Sequence, residues 1–150
     1  MQMSVDIAGA AKLGASFIDS RELFLRAAER VVFAEATAAV ERIQRDRRSG
    51  GPGNVTTATQ TKVVTGRLRQ SYGAEVRRTG RGIEGRVGIL RATRAPEYAG
   101  VHEFGSDRAG RGHTTHIPAR PALVPEGNTA AARIAERLPG AFVAALLRDE

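Results

Sequence analysis

The chain of 150 residues contains no cysteine and no tryptophan, and aromatic side chains make up only 5% of it. The lack of cysteine excludes disulfide bonds, thiolate nucleophiles and thiolate metal sites. The scarcity of aromatic residues leaves the core to Ala, Val, Leu and Ile, and the length favours a single domain over residues 1–150. No apolar run approaches the ~20 residues of a membrane-spanning helix. The N-terminus lacks the basic start and apolar centre of a secretory signal.

Lysine is also scarce, because the 23 basic residues comprise 21 arginines and only Lys12 and Lys62. Such a skew is typical of a GC-rich genome and says little about guanidinium chemistry. The positions of the arginines are more informative, since eight of them fall within residues 67–94 against two carboxylates, Glu75 and Glu84. That stretch carries most of the formal net charge of +7 and predicts a basic surface.

The strongest helix signal begins at Asp19, which stands three residues before Glu22 in the pattern of a capping box. Apolar residues then recur at steps of three and four and form one stripe of a helix predicted over residues 20–46. The stripe consists of Leu25, Ala28, Val32, Ala36, Ala39 and Ile43. Three further residues lie outside it and indicate either a second core contact or a subunit contact: Phe24, Val31 and Phe33.

Ahead of this helix, residues 4–7 alternate like a strand, and Gly9 and Gly14 indicate a loop or a short helical turn.

Two strands are predicted in the middle of the chain. Residues 73–79 place Ala74 and Val76 on one face, and the strand over residues 83–90 has an apolar face of its own. Residues 80–82 form a tight hairpin turn between them, and arginines take the alternate, solvated positions. Thr65 is the expected N-cap of a short helical turn just before this hairpin.

Loops and helices complete the pattern. The polar stretch at about 47–62 and the glycine-rich stretch at 105–116 are predicted as flexible loops. A helical turn begins after Pro96 and ends at Gly105. Residues 117–123 are expected to be extended because each residue before a proline avoids helical geometry. A last helix opens at Pro125 and breaks or kinks at Pro139. The fold class is therefore α+β: a long N-terminal amphipathic helix packed on a small antiparallel sheet, with a C-terminal helix.

Catalytic chemistry finds little support in the chain. His113 and His116 have a spacing that two zinc ligands can have, but a zinc site needs three or four ligands and no HExxH pattern is present. No serine stands in a nucleophile elbow. We therefore expect no enzyme activity, no metal and no cofactor. A metal-dependent hydrolase that uses His102 with the other two histidines is the weakest hypothesis.

The basic hairpin is the best residue-level argument for a nucleic-acid partner. Arginines along a sheet face neutralise phosphates in a sequence-independent way. Base-stacking aromatic residues are missing from the segment, so a single-strand or RNA platform is not expected. A solvated charged face is the alternative interpretation. The residues assigned to phosphate proximity within the hairpin segment 67–94 are Arg77, Arg78, Arg81 and Arg86.

Several stretches together resemble the successive motifs of the phage tail-component and virion-morphogenesis proteins. They are VVTGRLRQSY, then VGIL followed by PEYAGVHEFGSD, then IPARPAL, preceded by SVDIAGAAKLG ahead of the long helix. The resemblance runs from Ser4 to about Leu123 in the expected order. The chain departs from the family pattern in the length of the loop over residues 47–61 and in Ala122, where the family usually has a phenylalanine.

The resemblance implies a structural protein of the virion of a tailed phage or prophage. Such a protein is a neck or tail-completion (head–tail joining) component that assembles in the host cytoplasm as an oligomeric ring, commonly a hexamer. Its partners are other copies of itself, the head-completion or connector protein, and the tail tube or tail terminator protein. Contact with passing phage DNA is the remaining partner, and neither a membrane nor a small-molecule substrate is implied.

The resemblance also implies roles for single residues. Glu103 is expected to pair with an arginine of the TGRLR turn or of an adjacent subunit. The full set of residues assigned to a subunit or partner-ring interface is Arg67, Arg69, Glu103, Arg108, Arg111 and Arg120. The residues assigned to packing, turns and a rigid extended segment against the sheet are Thr65, Gly66, Leu68, Tyr98, Phe104, Gly105, Pro118 and Pro121.

Overall fold

The computed structural model of the chain describes residues 7–48, 66–90 and 98–148, with side chains from Asp19 onward. Thr65 and most of the loop predicted at 47–62 lie outside these ranges. The helices are α1 (Ile7–Arg42), which continues as a π-helical turn (Ile43–Arg47), α2 (Arg67–Gln70), α3 (Ala99–Phe104) and α4 (Leu123–Leu146). The strands are β1 (Tyr72–Thr79), β2 (Gly82–Ile89), β3 (Ser106–Ala109) and β4 (Thr115–Ile117).

Helix α1 confirms the predicted apolar stripe but begins earlier than predicted. Five of the six stripe residues are buried: Ala28, Val32, Ala36, Ala39 and Ile43. The helix starts at Ile7, so Asp19 lies within it and caps nothing, and the strand predicted over 4–7 cannot include Ile7. The loop or short turn predicted around Gly9 and Gly14 is likewise helical. Alanine is frequent in this stretch, and its helix propensity offsets the cost of about 1 kcal/mol for each glycine.

Strands β1 and β2 form the predicted hairpin and pack on α1. Their register pairs Ala74 with Val87 and Val76 with Gly85, and a two-residue turn at 80–81 joins them. A Cβ atom built on Gly85 would lie 2.6 Å from Cγ1 of Val32. Glycine is therefore required at this position for the hairpin to approach the helix so closely.

Helix α4 packs antiparallel to α1, as two contacts near its opposite ends show. The ring of Phe142 meets the ring of Phe24 edge to face at 5.4 Å, and Glu126 near the start of α4 accepts a hydrogen bond from Arg42. Of the residues outside the stripe, Val31 is buried and belongs to a second core contact, Phe24 packs on Phe142 but stays 40% exposed, and Phe33 is 60% exposed.

The last helix opens two residues earlier than predicted, and of the two predicted effects of Pro139, a break or a kink, the break does not occur. Helix α4 begins at Leu123 and continues through Pro139 to Leu146. An interior proline removes one hydrogen bond of a helix, but the turns on both sides of Pro139 contact α1 through Arg137 and Phe142.

Residues 105–116, predicted as a flexible loop, contain regular secondary structure. Strands β3 and β4 pair as a second antiparallel hairpin, with Ser106 opposite Ile117 and Ala109 opposite Thr115. Gly110 and His113 have positive φ angles in the connecting turn. Both strands are mostly polar, so no apolar alternation marks them in the sequence. Of the segment predicted to be extended over 117–123, only Ile117 lies in a strand, because residues 118–122 form no regular element and Leu123 opens α4.

The architecture is thus α+β, as predicted, with two two-stranded sheets in place of one. The main core cluster joins the end of α1, the start of the first hairpin and the start of α4. Its buried members are Ile43, Leu68, Tyr72, Ala99 and Ala122. Among the helices that the structure describes, none combines the length and hydropathy needed to cross a membrane.

Candidate interaction surfaces

A buried ion pair lies where the end of α1, α3 and the start of α4 meet. Arg48, only 2% exposed, donates from Nη2 to Oε2 of Glu103 at 3.0 Å and from Nε to the hydroxyl of Tyr72 at 3.1 Å. Oε1 of Glu103 accepts the backbone N–H groups of Ala122 at 2.9 Å and Leu123 at 2.8 Å. We refer to this set, Arg48, Tyr72, Glu103 and the backbone of Ala122 and Leu123, as the Arg48 junction.

The Arg48 junction caps α4 with a side chain that comes from another helix. The first N–H groups of a helix have no partner within it, and the helix dipole favours a negative charge at that end. The carboxylate of Glu103 meets both needs, and the guanidinium of Arg48 balances its charge. The pair therefore fixes α3 against the start of α4.

The predicted interface role of Glu103 is wrong in consequence. Glu103 is 6% exposed and pairs with Arg48 rather than with an arginine of the TGRLR turn, so it is not open to a neighbouring subunit. Nothing in the sequence marks Arg48 as buried, because it lies in a polar, glycine-rich stretch that is typical of a solvated loop. Tyr72 was equally inconspicuous, because the predicted strand begins one residue later, whereas the observed β1 begins at Tyr72.

A second ion pair supports the same end of the molecule. Arg42 donates from Nε to Glu126 at 2.7 Å, and Nε of Arg47 lies 3.6 Å from the other oxygen of that carboxylate. The arginines lie at the C-terminal end of α1 and the glutamate lies in the first turn of α4. Each charge therefore has the sign that the dipole of its own helix favours at that end.

His102 lies beside the Arg48 junction and is half-buried. Its ring meets the ring of Tyr98 edge to face at 5.7 Å. Burial lowers the pKa of His102, and the charges of Arg48 and Arg120 lower it further. Burial and the two guanidinium charges therefore both favour the neutral form of this imidazole.

The other two histidines lie in the β3–β4 hairpin. Nδ1 of His116 is 2.6 Å from a carboxylate oxygen of Asp107, and Nδ1 of His113 is 3.3 Å from the carbonyl oxygen of Arg108. Both rings are exposed. Throughout residues 19–48, 66–90 and 98–148 no group of three metal-ligating side chains is found.

Most arginines of the β1–β2 hairpin are engaged by carboxylates. Glu84 receives Arg77 at 2.8 Å and Arg86 at 2.9 Å, while Arg78 crosses to α1 and pairs with Glu22 and Glu29. A fourth arginine assigned to phosphate contact, Arg81, is exposed at the hairpin turn. These pairs reduce the positive potential that the hairpin offers to a nucleic-acid backbone.

The arginines assigned to an interface occupy two kinds of environment. Four of them are exposed: Arg67, Arg69, Arg108 and Arg111. Arg120 is half-buried, and its backbone N–H donates to the carbonyl oxygen of His102 at 2.8 Å. The segment that contains Pro118 and Pro121 is therefore tied to α3 and not laid against a sheet as an extended strand.

The aromatic residues at the two ends of α3 differ from their predicted packing role. The side chain of Phe104 is 80% exposed and that of Tyr98 is 43% exposed. Gly105 ends the helix as predicted, with φ of 76°. A Cβ atom there would lie 2.8 Å from the backbone nitrogen of Ala119, so this turn requires glycine. Phe104 is exposed because its neighbour Glu103 takes the inward position.

The TGRLR motif matches its prediction at Leu68, but the N-cap of its helical turn is Gly66 and not Thr65. Leu68 is buried in the core cluster, and Gly66 stands at the N-cap of α2 with φ of 72°. The left-handed conformation of Gly66 explains the glycine of the motif.

An apolar groove of about 430 Å³ opens between the first hairpin and α4, with α1 as its floor. The side chains and glycines that line it carry no charge. They are Val32 and Ala36 of α1, Ile83, Gly85 and Val87 of β2, and Leu123, Gly127, Ala130, Ala131, Ile134 and Ala135 of α4.

Comparisons with known proteins return no match: no family model, no curated protein and no solved structure matches the chain. The residues and geometry described above are therefore the basis of the functional proposal.

Proposed function

We propose that the chain is a structural protein of a tailed phage or prophage, a neck or tail-completion component that assembles as a ring between the head connector and the tail tube. The ordered sequence motifs support this proposal, and so does the α+β fold with its small second hairpin. The single observation that carries it is the arrangement of α3. Two consecutive residues of this helix, Glu103 and Phe104, face opposite environments.

An exposed phenylalanine next to a buried ion pair is well suited to an interface. Glu103 fixes α3 through hydrogen bonds to three partners, Arg48, Ala122 and Leu123, so Phe104 is presented at little further cost in conformational entropy. Rigid aromatic anchors surrounded by polar residues carry most of the binding energy of protein interfaces. The exposed arginines of the adjoining β3–β4 hairpin supply such a polar rim.

The apolar groove supplies a complementary surface on the same chain. Phe104 of one copy inserts into the groove of the next copy, lined by Val87, Ala131 and Ile134. A contact between two different surfaces of identical chains relates each copy to the next by a rotation. When successive rotations add up to a full turn, the copies form a closed ring. The groove is apolar and free of charged lining residues, as a site for a phenylalanine ring requires.

Genetic complementation tests the proposed function. In the phage or prophage that encodes the chain, loss of the gene is expected to leave filled heads and separate tails, visible by electron microscopy. Phe104→Ser is expected not to restore joined particles, whereas Phe104→Leu restores them in part because it keeps an apolar side chain. Joined particles formed without the gene would contradict the proposal.

A further inference from the structure

A second groove of about 430 Å³ lies between α1 and the last turns of α4, and arginines define its chemistry. Arg26 and Arg30 come from α1, one helical turn apart, and Arg148 follows the end of α4. The rest of the lining is apolar and includes Leu23 and Ala144. Among the described residues, no carboxylate lines this groove.

These three arginines differ from three others, on the same two helices and on the first hairpin. Arg42, Arg78 and Arg137 each pair with a glutamate at 3.1 Å or less. Within the part of the chain that the structure describes, no ion pair engages the three arginines of the groove, Arg26, Arg30 and Arg148.

The described carboxylates near Arg26 do not line this groove. Glu22 and Glu29 are held by Arg78 on the side of the first hairpin. Asp19 shares an adjoining depression with Arg26, and Glu29 shares another with Arg26 and Arg30. Three positive charges thus surround an apolar floor, and the described lining offers them no counter-charge.

We infer that this groove binds an amphipathic helix of an acidic partner protein. The apolar floor accepts the apolar face of such a helix, and its flanking carboxylates pair with the arginines. A second copy of this chain fits poorly because four glutamates of its helices, Glu22, Glu29, Glu35 and Glu126, already pair with its own arginines. Duplex DNA fits less well, since a phosphate backbone leaves the apolar floor unfilled. The inference is independent of the proposed ring.

Fluorescence anisotropy with a synthetic probe tests the inference. The probe is a fluorescein-labelled helical peptide with leucines on one face and glutamates flanking it, and a second peptide carries lysines in place of the glutamates. The wild-type chain is expected to bind the glutamate peptide, with affinity that falls as salt rises, and not the lysine peptide. Arg26→Glu combined with Arg30→Glu is expected to weaken binding at least tenfold.

Two further variants separate insertion into the groove from general charge attraction. Arg133→Glu, an exposed arginine of α4 outside the groove lining, is the matched control and is expected to leave affinity within twofold. Ala144→Phe fills the groove without changing charge and is expected to weaken binding at least fivefold. Circular dichroism melts show that each variant is folded.

Three results would overturn the inference. The first is equal affinity of the double charge reversal and the wild type for the glutamate peptide. The second is tighter binding of a duplex DNA probe that the same reversal abolishes, which assigns the groove to nucleic acid. The third is peptide binding that develops only after Asp149 and Glu150 are removed, which assigns the groove to the chain's own end.

Discussion

Replacing Glu103 by glutamine tests the Arg48 junction, because it removes one charge while keeping the shape and one acceptor oxygen of the side chain. The amide oxygen of the new side chain still accepts the N–H groups of Ala122 and Leu123, but the guanidinium of Arg48, 2% exposed, loses its counter-charge. Removing one partner of a buried ion pair costs about 3–5 kcal/mol. We therefore expect Glu103→Gln to lower the free energy of unfolding by about 3 kcal/mol or more in urea titrations followed by circular dichroism.

A double-mutant cycle separates this pair from general damage to the fold. Arg48→Met alone is expected to be as destabilising as Glu103→Gln, because it leaves a buried carboxylate without its guanidinium. In the double variant the two losses are expected to fall short of their sum by about 2 kcal/mol. The exposed pair Arg77 and Glu84 gives the matched control, and its neutralised variants are expected to unfold close to the wild type. Strict additivity at the Arg48 junction, or a loss below about 1 kcal/mol for Glu103→Gln, would show that this ion pair does not stabilise the fold.

Three further changes test the packing of the first hairpin on α1, the turn at Gly105 and the burial of His102. Gly85→Ala is expected to lower the thermal midpoint of unfolding because the added Cβ meets Val32. Gly88→Ala is the control and is expected to leave the midpoint nearly unchanged, since the space at its Cβ is open. Equal midpoints for the two variants would contradict the packing of the hairpin on α1. Gly105→Ala is expected to cost about 2 kcal/mol or more in urea titrations, from the positive φ and the backbone contact together. Burial lowers the pKa of His102 in the folded chain. As the pH falls below 6.5, His102 is therefore protonated more readily in the unfolded chain, and the free energy of unfolding decreases. His102→Asn should reduce this loss as the pH falls from about 7.5 to about 5.5, and an unchanged slope would refute it.

Local periodicity explains why much of the fold was predictable. The stripe from Ala28 to Ile43 repeats with the helical period over about four turns, and the alternation in β1 and β2 brackets a short glycine turn. Both signals are carried by residues close in sequence. The start of α1 was mispredicted because Asp19 imitates a helix cap inside a helix.

Long-range contacts explain what the sequence did not reveal. Arg48 and Glu103 are separated by 55 positions and meet only after α1, the first hairpin and α4 have packed. Nothing near Glu103 distinguishes an inward carboxylate from an exposed one, and the motif places Phe104 beside it. Of Glu103 and Phe104, the charged residue is the buried one. Its carboxylate accepts a backbone N–H at the start of α4 and pairs with the guanidinium of Arg48.

Native mass spectrometry of the purified chain tests the central claim of ring assembly most directly. We expect a closed oligomer of one stoichiometry, a hexamer, and its loss in Phe104→Ser but not in Phe33→Ser, a change at another exposed phenylalanine. A chain that stays monomeric at every concentration, or an oligomer that Phe104→Ser leaves intact, would contradict it.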